Sequence, residues 1–228
     1  KMLEQDVSIN FARSSSGDGF YIWNRDQGLE ANVNLYHFMH IVLADNALAR
    51  SKSTTNSVPR LRACFHVGSC YEFHQAEGLN PTTHDFIVGD VTIELARMIE
   101  AAMPGQILVG DFMADIAEGY IDPVQTQANL DAVMFLQRAQ GNLAKLSGLE
   151  FSGERVTAIK CYLTGEHMGG GQFNIRRLHI KDKHGLSRYA YNLQLDFELA
   201  GAELSLGLDS SNLPHRQVPT PTEPPEPE

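Results

Sequence analysis

The sequence predicts one α+β domain, because runs with the alternation of β-strands are mixed with longer runs that have helical periodicity. The chain has 228 residues, of which 43% are hydrophobic, so it is long enough to bury a sizeable core. Residues 11–23 have the pattern of a strand, a tight polar turn and a second strand, and three strand-like runs lie between residues 155 and 200. Residues 31–50 and 89–103 have helical patterns. These patterns together predict the α+β fold class.

Each element follows from a local signal. The Asp-Gly step at residues 18–19 lies between apolar runs and is typical of a hairpin. Asp90 is suited to cap a helix that ends at Pro104 and Gly105. The predicted order is strand 6–13, strand 20–23, helix 31–50, strand 60–70, an irregular connection over 71–88, helix 89–103, strand 106–110, short helix 111–119, helix 124–146, and strands 155–165, 172–180 and 187–200.

Composition excludes several classes of protein. The net charge is −10 and no basic stripe is present, so we expect no nucleic-acid partner, whereas a small phosphorylated ligand needs only a few local cations. The three cysteines form no CxxC pair, which argues against a disulfide scaffold and a cysteine zinc site. No apolar run is long enough to span a bilayer and no signal peptide is recognised, so we expect a cytoplasmic protein without a membrane partner. The Pro- and Glu-rich residues 209–228 are expected to be a solvated tail.

The order of several short motifs carries a resemblance to a known family. A GDG turn at residues 17–19 precedes an RLRACFHVG run, a Gly-Asp that opens the helix bearing Arg97, a PGQILV run and a KDKHG turn. In this order the chain resembles the class III nucleotidyl cyclase catalytic domain over about residues 5–118 and 172–195. The resemblance implies a mixed, mostly antiparallel sheet covered by helices, in a catalytic domain over residues 1–208. Residues 119–171 exceed the family's minimum and are interpreted as an insertion with a helix of its own.

The resemblance implies two-metal chemistry. In the family, two aspartates hold two divalent ions, Mg²⁺ or Mn²⁺, while the ribose 3′-oxygen attacks the α-phosphorus. Asp18 matches the aspartate at the hairpin tip, and its flanking glycines leave room for an ion and a substrate. The other aspartate has no match before Asp18, since Asp6 stands at the foot of the strand, so we expect a strand that precedes Lys1 to supply it. The alternative reading of Asp18 is an ordinary turn residue.

Two cations match the phosphate ligands of the family. Arg97 matches the arginine that contacts the phosphates, for which a guanidinium is suited. Ile93 stands where the family usually has an asparagine. Lys183 matches the lysine that binds the terminal phosphates. The alternatives are a surface pair of Arg97 with Glu94 and an exposed turn lysine.

The base-reading positions depart from both purine patterns. The lysine or glutamate of the family is replaced by Ser14, and the aspartate or cysteine by Phe86. Ser14 offers one hydrogen bond and Phe86 a stacking face, which favours a smaller base. In this respect the chain is similar to bacterial antiphage enzymes that make cyclic UMP or cyclic CMP. The alternative is that Phe86 packs in the core.

The resemblance therefore implies an enzyme that converts a nucleoside triphosphate into a 3′,5′-cyclic nucleotide and pyrophosphate. It also implies a homodimer with shared sites, in which Asp18 of one chain works with the phosphate- and base-binding residues of the other. The alternative function is a cyclase-like module that senses a nucleotide without catalysis, which Ile93 and the unmatched metal aspartate support. A separate His37–His40 pair has the spacing of a metal site, but such pairs are more often buried.

Overall fold

The computed structural model describes residues 10–55, 57–76, 83–115, 129–151, 153–182, 184–208 and 215–218. Within these ranges the chain forms three α-helices, a nine-stranded sheet and three two-stranded sheets, with mostly antiparallel pairing. The predicted mixture of helices with a mostly antiparallel sheet is confirmed.

The elements follow one another closely along the chain. They are β1 (Phe11–Ser16), β2 (Gly19–Asn24), α1 (Leu29–Lys52), β3 (Ala63–Phe65), β4 (Tyr71–Ala76), β5 (Thr83–Val88), α2 (Asp90–Ala101), β6 (Ile107–Gly110), β7 (Met113–Asp115), β8 (Asn129–Asp131), α3 (Ala132–Asn142), β9 (Glu150–Phe151), β10 (Glu154–His167), β11 (Phe173–Ile175), β12 (Arg177–Lys181), β13 (Ser187–Leu199), β14 (Glu203–Leu206) and β15 (His215–Gln217).

Strand β13 is the centre of the nine-stranded sheet. It pairs antiparallel with β10 and β12 on one side and with β6 and β14 on the other. The register places Leu163 opposite Leu193 and Ile159 opposite Phe197. Strand β3 continues the sheet beyond β6, and this is the one parallel pairing among the described strands.

The helices cover both faces of this sheet. Along β6, Ile107 and Val109 pack in the core that contains α1 and α3, whereas Leu108 packs with Met98 of α2. Because successive side chains of a strand point to opposite faces, α1 and α2 lie on opposite sides of the sheet. Any cleft beside α1 is therefore separated from a cleft beside α2.

An aromatic cluster fills the larger core. Phe135 of α3 is stacked on Phe65 with ring centroids 5.6 Å apart, and it meets Phe112 edge-on at 5.5 Å. Tyr36 of α1 meets Phe65 edge-on at 5.1 Å. Such offset and edge-on arrangements are the favoured ones for aromatic pairs. The cluster joins α1, α3 and the edge of the sheet into one packed unit.

The hairpin at the start of the described chain forms as predicted. Strands β1 and β2 pair from Phe11–Asn24 to Ser16–Gly19, which leaves Gly17 and Asp18 as the turn. Gly17 has φ +62, a left-handed conformation that glycine adopts without strain. The turn therefore holds Asp18 at the tip.

Several local predictions differ from the structure. The described part of the predicted helix 124–146 contains strand β8 before α3, the predicted strand 172–180 is the two strands β11 and β12, and the predicted strand 60–70 is the shorter β3. The connection over 71–88 is the hairpin β4–β5, and residues 113–115 form a strand rather than part of a helix. Gly89, with φ +147, is the N-cap of α2, and Asp90 lies inside its first turn. A Cβ at residue 89 would overlap the carbonyl of Ser69, so the close approach of these two backbones requires glycine.

The segments that were interpreted as an insertion (119–171) and as a tail (209–228) both contribute strands to the nine-stranded sheet. Residues 119–171 contain α3, and they also contain β10, which pairs along β13. In the stretch assigned to the tail, β15 pairs with β10, and Val218 is buried and donates its backbone N–H to Cys161.

Candidate functional site

Asp18 lies at the tip of the β1–β2 hairpin and is exposed to solvent. No hydrogen bond or ion pair holds its carboxylate among the described residues. An exposed carboxylate on a tight turn is available to a hard cation such as Mg²⁺, which is commonly held by one or two carboxylates together with substrate phosphates. The chemistry of this donor fits the predicted ion, with Asp18 as one ligand.

A cleft of about 340 Å³ lies between this hairpin, strand β5 and helix α2. Tyr21 of β2 is the cross-strand partner of Ser14, and such partners share one face of a hairpin. Ser14 therefore lies on the face of the hairpin that borders the cleft. The cleft is lined by Tyr21, Ile87, Thr92, Ile93, Ala96 and Arg97.

Phe86 is next to the cleft residue Ile87 but lies on the opposite face of the β4–β5 hairpin, because adjacent strand residues alternate. Its cross-strand partner is Phe73, and the two side chains are 41% and 56% exposed. Phe86 thus does not pack in the core. Tyr71 and Val88 form the next exposed pair on this face, and we call these four residues the apolar hairpin face.

Arg97 forms one wall of the cleft. Its Nη1 lies 3.1 Å from Glu100 Oε2, so the surface pair is formed with Glu100 rather than with Glu94. Its Nε is buried, has no hydrogen-bond acceptor among the described residues, and lies 3.9 Å from Asp182 Oδ2. The Arg97 side chain is 25% exposed, and the exposed part of its guanidinium is the part that an anionic ligand in the cleft could contact.

Asp182 is a site residue that the sequence analysis missed. It is almost fully buried, and its Oδ2 accepts a 2.8 Å hydrogen bond from Arg188 Nη1, while the backbone N–H groups of His184 and Leu186 donate to Oδ1. Burial acts to raise the pKa of Asp182, but these hydrogen bonds and the Arg188 charge outweigh it and lower the pKa. Arg188 also pairs with Glu94 of α2 at 2.9 Å.

This network fixes the β12–β13 turn against α2. An aspartate that bonds backbone N–H groups two and four residues later is a known turn former, so Asp182 in the KDKHG run was a usable signal. Lys183 lies outside the described residues. Its neighbour Asp182 lies beside Arg97, and this places the turn, though not the lysine side chain, near the cleft.

A second polar group lies on the β4–β5 hairpin. Ligand atoms of Glu72, His74 and Asp85 all lie within 4.8 Å of one another, so this group could hold a metal ion. Arg25 of the first hairpin already occupies it, with Nη2 at 2.8 Å from Asp85 and Nε at 3.3 Å from Glu72. A metal would have to displace this guanidinium. In the structure the group instead links the two hairpins.

His37 and His40 are both fully buried on α1. His37 Nε2 lies 3.1 Å from the carbonyl of Ala139, and His40 packs edge-on against Tyr36 at 4.3 Å. Burial, followed by the nearby His37, lowers the pKa of His40 well below its usual value, so the ring is neutral inside the core. The pair occupies core positions.

The structure brings Arg97, Ile93 and the Ser14 face of the hairpin to one cleft, and it sets Phe86 on the other face of its hairpin.

No helix among the described residues combines the length and the apolar character needed to cross a membrane. Comparisons of the chain with protein-family models, with curated proteins and with solved structures find no match.

Proposed function

We propose that the chain is a class III-like nucleotidyl cyclase that converts a nucleoside triphosphate into a 3′,5′-cyclic nucleotide and pyrophosphate. The observation that carries this proposal is the cleft at Arg97. Its wall includes the guanidinium of Arg97, and its other side is the hairpin face that bears Ser14. Residues from two motifs that are far apart in the sequence thus border one cleft, and this supports a binding site for a phosphorylated ligand there.

Different residues of the cleft would bind different parts of the substrate. Arg97 faces the phosphates and stabilises the negative charge that moves onto pyrophosphate as it leaves. Ile87, Ile93 and Ala96 form the apolar part of the cleft wall. Asp18 would hold Mg²⁺ or Mn²⁺, and such ions supply charge neutralisation and acidify the 3′-hydroxyl. In the reaction the 3′-hydroxyl releases its proton to solvent, its oxygen bonds to the α-phosphorus, and the bond from that phosphorus to pyrophosphate breaks.

A pyrimidine nucleotide is the substrate that this proposal favours. Ser14 would provide one polar contact for a base in the cleft, whereas the exposed ring of Phe86 faces away from this cleft and would provide a stacking surface only in an assembly that brings the two residues together. A purine would leave polar groups unpaired, at about 1–3 kcal/mol each. Two such losses correspond to roughly a hundredfold or more in turnover. We expect UTP or CTP to be preferred over ATP and GTP, with UTP first.

The proposed assembly is a homodimer with two shared sites. The apolar hairpin face is the surface that supports it, because four large apolar side chains lie exposed beside the cleft. Phe86 belongs to this face and points away from the Arg97 cleft of its own chain. In the proposed dimer a second copy packs on this face, and Asp18 of one chain works with Arg97 of the other.

The deciding experiment incubates the full-length protein with equal concentrations of the four nucleoside triphosphates and Mn²⁺ and identifies the products. Cyclic UMP or cyclic CMP as the main product supports the whole proposal. A pool dominated by cyclic AMP or cyclic GMP removes the pyrimidine preference and leaves the cyclase. The absence of any cyclic product, with Arg97-dependent nucleotide binding retained, favours the second candidate, a nucleotide-sensing module. Ile93 in the cleft, at the position of the family's asparagine, is the observation that favours that candidate.

A further inference from the structure

A second cleft lies on the opposite side of the sheet from the proposed catalytic cleft. It has a volume of about 320 Å³ and lies between the C-terminal half of α1, the segment that precedes β3, the start of β6 and strand β14. Its apolar lining consists of Leu43, Ala47, Leu61, Ile107, Leu204 and Leu206. Since α1 and α2 cover opposite faces of the sheet, a ligand here would not contact Arg97.

Two arginines border this apolar lining. Arg50 and Arg60 are both exposed, and neither forms an ion pair among the described residues. The neighbouring Lys52 differs, since its Nζ lies 3.8 Å from Glu154. In a chain with a net charge of −10, two uncompensated guanidinium groups at one cleft form a local anion-attracting position.

The guanidinium of Arg60 lies against the PGQILV run at the edge of this cleft. Gly105 has φ +83, and a Cβ at this position would overlap the guanidinium of Arg60. A side chain at residue 105 would therefore move the Arg60 head group from its present position. The proposed cyclase reaction does not use this contact.

We propose that this cleft binds a small anionic amphiphile, a molecule with one carboxylate or phosphate head and a short apolar body. The head lies between Arg50 and Arg60, for which a planar guanidinium fork is suited. The apolar body lies on the leucine and isoleucine side chains of the lining. The volume is at the small end of the range for ligand sites, which selects a compact body over a long acyl chain.

The test is calorimetric titration of the full-length protein with octanoate, octyl phosphate, octanol and inorganic phosphate. We expect both anionic amphiphiles to bind at least about tenfold more tightly than octanol or phosphate alone, because only they use both parts of the cleft. The stronger of the two identifies the head group. Equal affinity for octanol and octanoate would overturn the role of the arginines.

Substitutions of residues in and outside the cleft test where the ligand binds. Arg50→Gln and Arg60→Gln should each weaken octanoate binding at least about fivefold and leave octanol binding unchanged, while Lys52→Gln should have no effect. Ala47→Phe should block both ligands by filling the cleft. Unaltered octanoate affinity in Ala47→Phe, or a loss of affinity in Phe73→Ser on the apolar hairpin face, would refute the location. Binding is measured without nucleotide, so the result stands apart from the proposed cyclase activity.

Discussion

The buried side chain of His40 on α1 makes the stability of the protein depend on pH in a defined direction. His40 is fully buried and its pKa is lowered from 6.5 in the folded state, so the unfolded chain binds its proton first as pH falls. The contribution of neutral His40 is complete above about pH 6.5 and is lost below it. From pH 8.0 to 5.5 this one group should lower the free energy of unfolding by on the order of 1 kcal/mol.

The assay is urea unfolding at 25 °C, at pH 8.0 and at pH 5.5, for the wild type and for His40→Leu. Leucine fills a similar volume and cannot be protonated, so the variant should lose on the order of 1 kcal/mol less between the two pH values than the wild type does. His66 also has a lowered pKa, chiefly because of burial, and its contribution remains in both proteins. An unchanged pH dependence in His40→Leu would refute the reasoning.

Four further outcomes are expected. Asp18→Ala should abolish cyclisation with an unchanged melting temperature. Mixing it with inactive Arg97→Ala should restore part of the activity, because the proposed sites are shared between chains; subunit exchange without restored activity, checked by product analysis, argues for sites within one chain. Phe135→Ala should lower the free energy of unfolding by about 3–5 kcal/mol, because it empties the aromatic core; a loss below about 1 kcal/mol in urea titrations contradicts that packing. Iodoacetamide at pH 8 should modify exposed Cys70 before Cys161, because burial raises the pKa of Cys161 to about 12, and peptide mass spectrometry reports the order.

The elements that the sequence predicted well are those with a local cause. The β1–β2 hairpin follows from a two-residue turn with a glycine in a left-handed conformation. Helix α1 was also predicted, although its apolar residues are not confined to one face and its buried positions include His37 and His40. The hairpin β4–β5 was missed. Its alternation sets apolar residues such as Phe73 and Phe86 on an exposed face and polar residues such as Asp85 on the other, which reverses the usual sign of the pattern.

Single residues of the candidate site could be predicted from the sequence, whereas their contacts with distant residues could not. Asp18, Ser14 and Arg97 could be proposed from motif order alone. The ion pairs of Arg25 with Glu72 and Asp85 join residues 47 and 60 positions apart, and no local pattern specifies such partners. The position of Phe86 on the far face of its hairpin depends on register, since a shift of one residue would turn it toward the cleft.

The separation of the hairpins from the main sheet has a consequence for how the protein opens. Strand β13 is hydrogen-bonded along both edges, whereas β1–β2 and β4–β5 each form a two-stranded sheet with its own bonds. Amide hydrogens of β13 should therefore exchange with solvent only when the whole domain unfolds, and those of the two hairpins through local openings of much lower free energy. The hairpins that border the candidate site can then rearrange around a ligand while the nine-stranded sheet keeps its bonds.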